Sequence, residues 1–126
     1  MKKKLIVLLF IGIILSGCST IVENSLETGS GSIELLTPTI TTKDKELEIK
    51  TEGIDENKVT FIYVANKKVL EQKINNGESY KLSIEGIKDA HRTDYKPKVQ
   101  LLQTKDDSTD GDMVTFKQVR YTVEKD

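Results

Sequence analysis

From Ser32 onward the chain alternates: apolar side chains return at every second position, and no apolar stripe recurs at helical spacing. No other feature restricts the fold as much. Side chains on alternate faces of an extended chain bury a core by joining a sheet. Glu46-Leu47-Glu48-Ile49-Lys50 is the cleanest case, with Leu47 and Ile49 on the inward face. Ile33-Glu34-Leu35 predicts a short first strand ended near Pro38. Residues 58–65, KVTFIYVA, are apolar on both phases, with Val59, Phe61 and Tyr63 on one and Ile62 and Val64 on the other. That pattern predicts a central strand covered on both faces.

Turn residues divide the rest. Asn66 and Lys67 predict a turn, with a returning strand over residues 68–74. Asn75-Asn76-Gly77 predicts a two-residue hairpin leading into a strand over residues 78–84, with Tyr80, Leu82 and Ile84 on one face. Gly86–Tyr95 is irregular, with a turn of helix expected at Lys88-Asp89-Ala90-His91. Pro97 lacks an N–H and belongs at a strand start or an edge. Residues 99–103 and 113–123 are expected to pair across the loop TKDDSTDGD. In the last strand Val114 and Phe116 share one parity, whereas Val119, Tyr121 and Val123 share the other. A bulge near Lys117-Gln118 is predicted to absorb that slip.

About seven short strands with turns between them predict a mainly β fold, a single antiparallel β-sandwich over residues 33–126. A small open β-barrel of five or six strands is the alternative. The rhythm over residues 32–125 resembles immunoglobulin-like or fibronectin type III domains of bacterial surface proteins. The Trp and paired Cys of antibody domains are absent from it.

The chain begins differently. Lys2-Lys3-Lys4 precedes an apolar run from Leu5 to Leu15, interrupted by Gly12, and Ser16, Gly17 and Cys18 follow. Basic, then apolar, then small is the layout of an export signal. At 1.5 Å rise per residue, Leu5 to Cys18 would reach about 21 Å as a helix, short of a bilayer core of about 30 Å. Leu15-Ser16-Gly17-Cys18 resembles the lipobox of bacterial lipoproteins. The resemblance implies cleavage between Gly17 and Cys18, a diacylglyceryl group on the Cys18 sulfur and acylation of the new amino terminus. Residues 1–17 are then a signal peptide, 18–32 a lipidated cysteine with a flexible tether rich in Ser, Thr, Gly, Asn and Glu, and 33–126 the β domain. Ile21, Val22 and Leu26 leave open a short strand, or packing on the domain, within that tether.

Cys18 is the only cysteine, so the domain depends on packing and not on disulfides. Three of the 19 basic residues lie in the signal, which leaves 16 against 20 acidic residues. No basic stripe or basic–aromatic cluster offers a nucleic-acid surface, so no nucleic-acid partner is expected.

Few residues suggest chemistry. Asp106, Ser108, Asp110 and Gly111 match positions one, three, five and six of the hand-type calcium loop, with Asp112 beside them. The closing position, which should be a bidentate Glu, is Lys117. Asp106, Asp110 and Asp112 are therefore weak metal candidates, and a solvated hairpin tip accounts for the same residues. His91 is the only histidine, too few for a typical zinc site. With Ser83 and Asp94 it could form a relay only if the fold brought all three together. The aromatics Phe61, Tyr63, Tyr80, Phe116 and Tyr121 sit at strand periodicity and are expected in the core. Tyr95 is expected to be exposed.

The expected function is a non-catalytic, surface-exposed lipoprotein, lipid-anchored on the extracytoplasmic face of the cell membrane. Its β domain would contact a protein partner at the envelope through loops Gly86–Tyr95 and Lys105–Asp112. No cofactor is expected beyond the covalent diacylglycerol. One alternative is an accessory or exclusion lipoprotein acting on an envelope transporter, phage or conjugation apparatus. Two others are a small enzyme and a signal-derived peptide pheromone from FIGIILSG.

Overall fold

The computed structural model describes residues 27–125, so Gly17, Cys18 and the expected signal lie outside the described residues. The strands are β1 (Ser32–Leu35), β2 (Thr39–Thr41), β3 (Glu46–Glu52), β4 (Thr60–Val64), β5 (Lys67–Gln72), β6 (Ser79–Ser83), β7 (Lys98–Thr104), β8 (Met113–Arg120) and β9 (Thr122–Glu124). A 3-10 turn at Lys88–His91 lies between β6 and β7, where a turn of helix was expected. No described helix is long and apolar enough to cross a membrane.

The strands form an antiparallel sheet in the order β1-β3-β6, an antiparallel sheet in the order β5-β4-β7-β8, and a short parallel pair, β2-β9. The sheets do not close into a barrel. Their inward residues meet in one core: Ile33, Leu47, Ile49 and Leu82 from the first, Ile62, Val64, Val99 and Leu101 from the second. This arrangement is consistent with a β-sandwich. Each such buried side chain contributes about 1.5–3 kcal/mol. The alternation of β3 therefore becomes structure directly: Leu47, Ile49 and Thr51 are buried while Glu46 and Glu52 are exposed.

Four local expectations are corrected. There are nine strands among the described residues, not seven, because Thr39–Thr41 pairs in parallel with the chain end. The Asn-Gly hairpin is not there. β5 pairs with β4 and β6 with β3, so residues 73–78 cross from one sheet to the other. Only Gly77 of that turn has positive φ, 84°, as in a type II turn. The hairpin with both central residues at positive φ is Ala65-Asn66, at 50° and 70°, one residue earlier than Asn66-Lys67.

The bulge expected near Lys117-Gln118 is also absent. β8 pairs with β7 in unbroken register from Arg120 to Thr115, and the irregularity falls at Val114. The phase slip is resolved another way: Thr115, Tyr121 and Val123 are buried, while Phe116 points to the opposite side of the sheet.

Residues 28–31, inside the expected tether, lie against the domain. Thr28 and Phe116 exchange both backbone hydrogen bonds at 3.0 Å. Gly29 and Gly31 take φ of 80° and 93°, and Ser30 Oγ donates to Gly53 O at 3.0 Å. A Cβ on Gly29 would stand 2.6 Å from Val114 O. Residues 28–31 are thus fitted to the domain because only glycine allows so close an approach.

Candidate docking face

Because adjacent strand residues point to opposite sides, each sheet displays whatever it does not bury. The two outer faces differ. On β1-β3-β6 the outward positions are polar: Glu34 opposes Lys50, Lys50 opposes Ser79, and Glu48 opposes Lys81. On β5-β4-β7-β8 the outward rows are Phe61–Leu102–Phe116 and Tyr63–Gln100–Gln118. None of the apolar members of those rows belongs to the core cluster.

Phe61 is only 1% exposed although it faces away from the core. Its cover includes Lys68, whose ammonium lies 5.8 Å from the ring centroid. Glu71 holds Lys68 by an ion pair, and that hydrogen bond raises the lysine above its ordinary range. Next to it lies an open groove of about 310 Å³ lined by Tyr63, Asn66, Gln100, Leu102, Met113 and Phe116. Gln100 Nε2 donates to Gln118 Oε1 at 3.0 Å, which links the two amides across the face. Met113 is 42% exposed at the far end. Of this lining Met113 is exposed, while Tyr63, Leu102 and Phe116 are half-buried.

A second cleft, of about 290 Å³, joins the groove at Asn66 and is lined also by Ala65, Asp89, Tyr95, Pro97, Lys98 and Arg120. Tyr95 is exposed, as expected, and Arg92 stacks 5.0 Å from its ring centroid. Arg92 Nε and Nη2 donate to Asp94 at 2.9 and 2.6 Å, and Nη1 to Asp89 at 3.4 Å. Those hydrogen bonds hold the Asp94 carboxyl below the usual carboxylate range. Tyr121 Oη donates to Ala90 O at 2.6 Å, and burial raises its phenol well above the ordinary value. The Gly86–Tyr95 loop is therefore anchored from below and presents its outer side to the cleft.

The other expected loop, Lys105–Asp112, directly precedes Met113, which lines the groove. Asp106 Oδ1 accepts from Ser108 N at 3.2 Å and Ser108 Oγ at 2.9 Å, which lowers its carboxyl. Asp107 Oδ1 accepts from Val59 N at 3.2 Å. Among the described residues no three His, Cys, Asp or Glu side chains gather as a metal-holding group, so Asp106, Asp110 and Asp112 are not brought into one. Lys58 Nζ instead donates to the carbonyls of Thr104 and Lys105 at 3.0 and 3.1 Å.

His91, Ser83 and Asp94 have separate partners. The His91 ring nitrogens face Ile87 O at 3.0 Å and Asp44 O at 2.8 Å, joining the 3-10 turn to the turn before β3. Asp94 is engaged by Arg92, and Ser83 lines a polar groove with Lys43, Asp44, Lys45, Glu46 and Glu85.

The aromatics correct the sequence reading most. Tyr121 is in the core and Tyr80 packs against it; Phe61 is buried as expected, though on the opposite side of its sheet from the core cluster, and Tyr63 and Phe116 lie half-buried on that same side. The signal was present in KVTFIYVA: a strand apolar on both phases sends one row to the core and the other to the opposite side of the sheet, where Phe61 is buried and Tyr63 half-buried. The chain matches no protein-family model, no curated protein and no solved structure.

Proposed function

We propose that the chain is a bacterial lipoprotein, held by lipid on Cys18 at the extracytoplasmic face of the cell membrane. Its immunoglobulin-like, non-catalytic domain docks another protein on the outer face of β5-β4-β7-β8. The observation that carries the docking reading is the asymmetry of the two outer faces, one polar throughout and one bearing Tyr63, Leu102, Met113 and Phe116. The immunoglobulin-like reading is supported by strand order: β1, β3 and β6 in one sheet against β5, β4, β7 and β8 in the other corresponds to strands A, B, E and C′, C, F, G.

The anchor reading rests on Leu15-Ser16-Gly17-Cys18 after the basic and apolar segments. Two acyl chains suffice for stable attachment, at about 0.8 kcal/mol per buried methylene. Nine residue steps from Cys18 to Glu27 reach at most roughly 30 Å. The domain would thus remain close above the lipid, where a docking face meets other envelope proteins at high local concentration.

A photo-crosslinking amino acid at Met113 of the full chain, tested in living bacteria, checks the docking reading. A discrete protein adduct is expected from Met113 and none from the same probe at Lys81, on the polar outer face. Equal labelling from both positions, or none from Met113, would refute it. The mass of the membrane-extracted chain checks the anchor independently: it should begin at Cys18 and carry the diacylglyceryl group.

A further inference from the structure

We infer that Asn76-Gly77 is a latent self-modification site, at which lifting of the crossing between the two sheets starts the loss of ammonia from Asn76. The chemistry is intramolecular, with water as its only co-reactant. Gly77 N attacks Asn76 Cγ, so that an N–Cγ bond forms and the Cγ–Nδ2 bond breaks. Ammonia leaves with the amide proton of Gly77, and water then opens the cyclic imide at either carbonyl to give aspartate or isoaspartate. Asparagine followed by glycine suits this attack, because no side chain crowds the incoming nitrogen.

The fold holds both reacting groups elsewhere. Gly77 N donates to Thr51 O at 2.8 Å, which commits the attacking nitrogen to β3. The Asn76 amide is engaged at both of its atoms. Its Oδ1 accepts from Thr51 Oγ1 and Ile54 N at 3.1 Å, and its Nδ2 donates to Ile54 O at 2.9 Å and to Glu56 Oε2 at 3.2 Å. Asn76 N donates to the same Glu56 oxygen at 2.8 Å. Bringing Cγ onto Gly77 N therefore requires these bonds to break together. Thr51 and Ile54 are buried, whereas Asn76 is half-buried and Gly77 exposed, so residues 73–78 can lift while β3 stays in place. The step runs one way. A carboxylate at position 76 sets an oxygen against Ile54 O and Glu56 Oε2. Isoaspartate also adds a methylene to the main chain before Gly77, which shifts its N–H from Thr51 O. A molecule that has opened and reacted thereby loses the contacts that would reclose it.

Mass spectrometry of the full chain, incubated at neutral pH with and without guanidinium chloride, tests this. Ammonia loss at Asn76 should be at least about tenfold slower in the folded chain than in the unfolded one. Glu56 is exposed, and Glu56→Ala removes one partner of Asn76 without touching the core. It should speed the reaction severalfold in the folded chain and leave the rate in guanidinium unchanged. Chains converted in guanidinium and returned to buffer should carry isoaspartate at position 76 and unfold at a lower denaturant concentration than the parent. Equal rates with and without guanidinium would overturn the proposal. So would a folded Glu56→Ala chain that reacts no faster than the parent, or a converted chain as stable as the parent.

Discussion

Asn76 shows how one side chain fixes a crossing between sheets. Its Oδ1 accepts from Thr51 Oγ1 and Ile54 N, both at 3.1 Å, and its Nδ2 donates to Ile54 O at 2.9 Å. Asn76→Ala leaves three part-buried groups without that partner and should cost about 1–3 kcal/mol in chemical denaturation. Asn76→Asp keeps the acceptor but sets a carboxylate oxygen against Ile54 O and Glu56 Oε2, so it should cost at least as much as Asn76→Ala. Tyr121 sets an alkaline limit. Its phenol is raised in the folded chain, so the folded state holds a proton that the unfolded chain releases near pH 10. Its contribution is complete below pH 10 and is lost as pH rises from there. Thermal melts should fall above about pH 10, and Tyr121→Phe should flatten that fall while losing the bond to Ala90 O. Asp94 acts with the opposite sign. Its carboxyl is lowered by Arg92, so its contribution is present above the ordinary carboxylate range and fades as pH drops through the folded value.

Among the elements, the edge of β8 is the most dependent on local chemistry. Thr28 pairs with Phe116, Gln118 N donates to Glu27 Oε2 at 2.9 Å, and Lys117 Nζ donates to Gly29 O at 2.9 Å. Gly29→Ala would set a Cβ against Val114 O at a φ of 80°. It should release residues 27–29 and speed amide exchange at Phe116 and Gln118 by about tenfold, leaving Leu47 and Leu101 in the core protected. The strands were legible where alternation is strict: β3 and β6 carry one buried and one polar face, and their residues predict both. β2 was not legible, since three residues after Pro38 make a strand only because β9 lies beside them. Asn75-Asn76-Gly77 misled for a related reason. The dipeptide specifies a tight reversal, but which strands it joins depends on pairing between residues far apart in the chain. The tetrapeptide at Cys18 and the structure address different parts of the chain, so neither bears on the other.

At the scale of the molecule, the account turns on two sheets with unlike outsides. Sequence periodicity identified Phe61, Tyr63 and Phe116 as strand residues and sent them inward, because it counts faces without knowing which is covered. The sheet order and the core cluster show that Ile62, Val64, Val99 and Leu101 face the other sheet, whereas Phe61, Tyr63 and Leu102 face away from it. The docking face predicts a difference between membrane and detergent that the polar face should not show. Met113 and Leu36 are similarly exposed in the isolated chain, at 42% and 39%, but Leu36 lies off the face, after β1. The most direct measurement is hydroxyl-radical footprinting of the full chain, first in intact bacterial membranes and then after dilution in detergent. Met113 should be protected severalfold in membranes relative to detergent while Leu36 is unchanged. Equal modification of Met113 in both conditions would contradict the claim that this face is covered where the protein works.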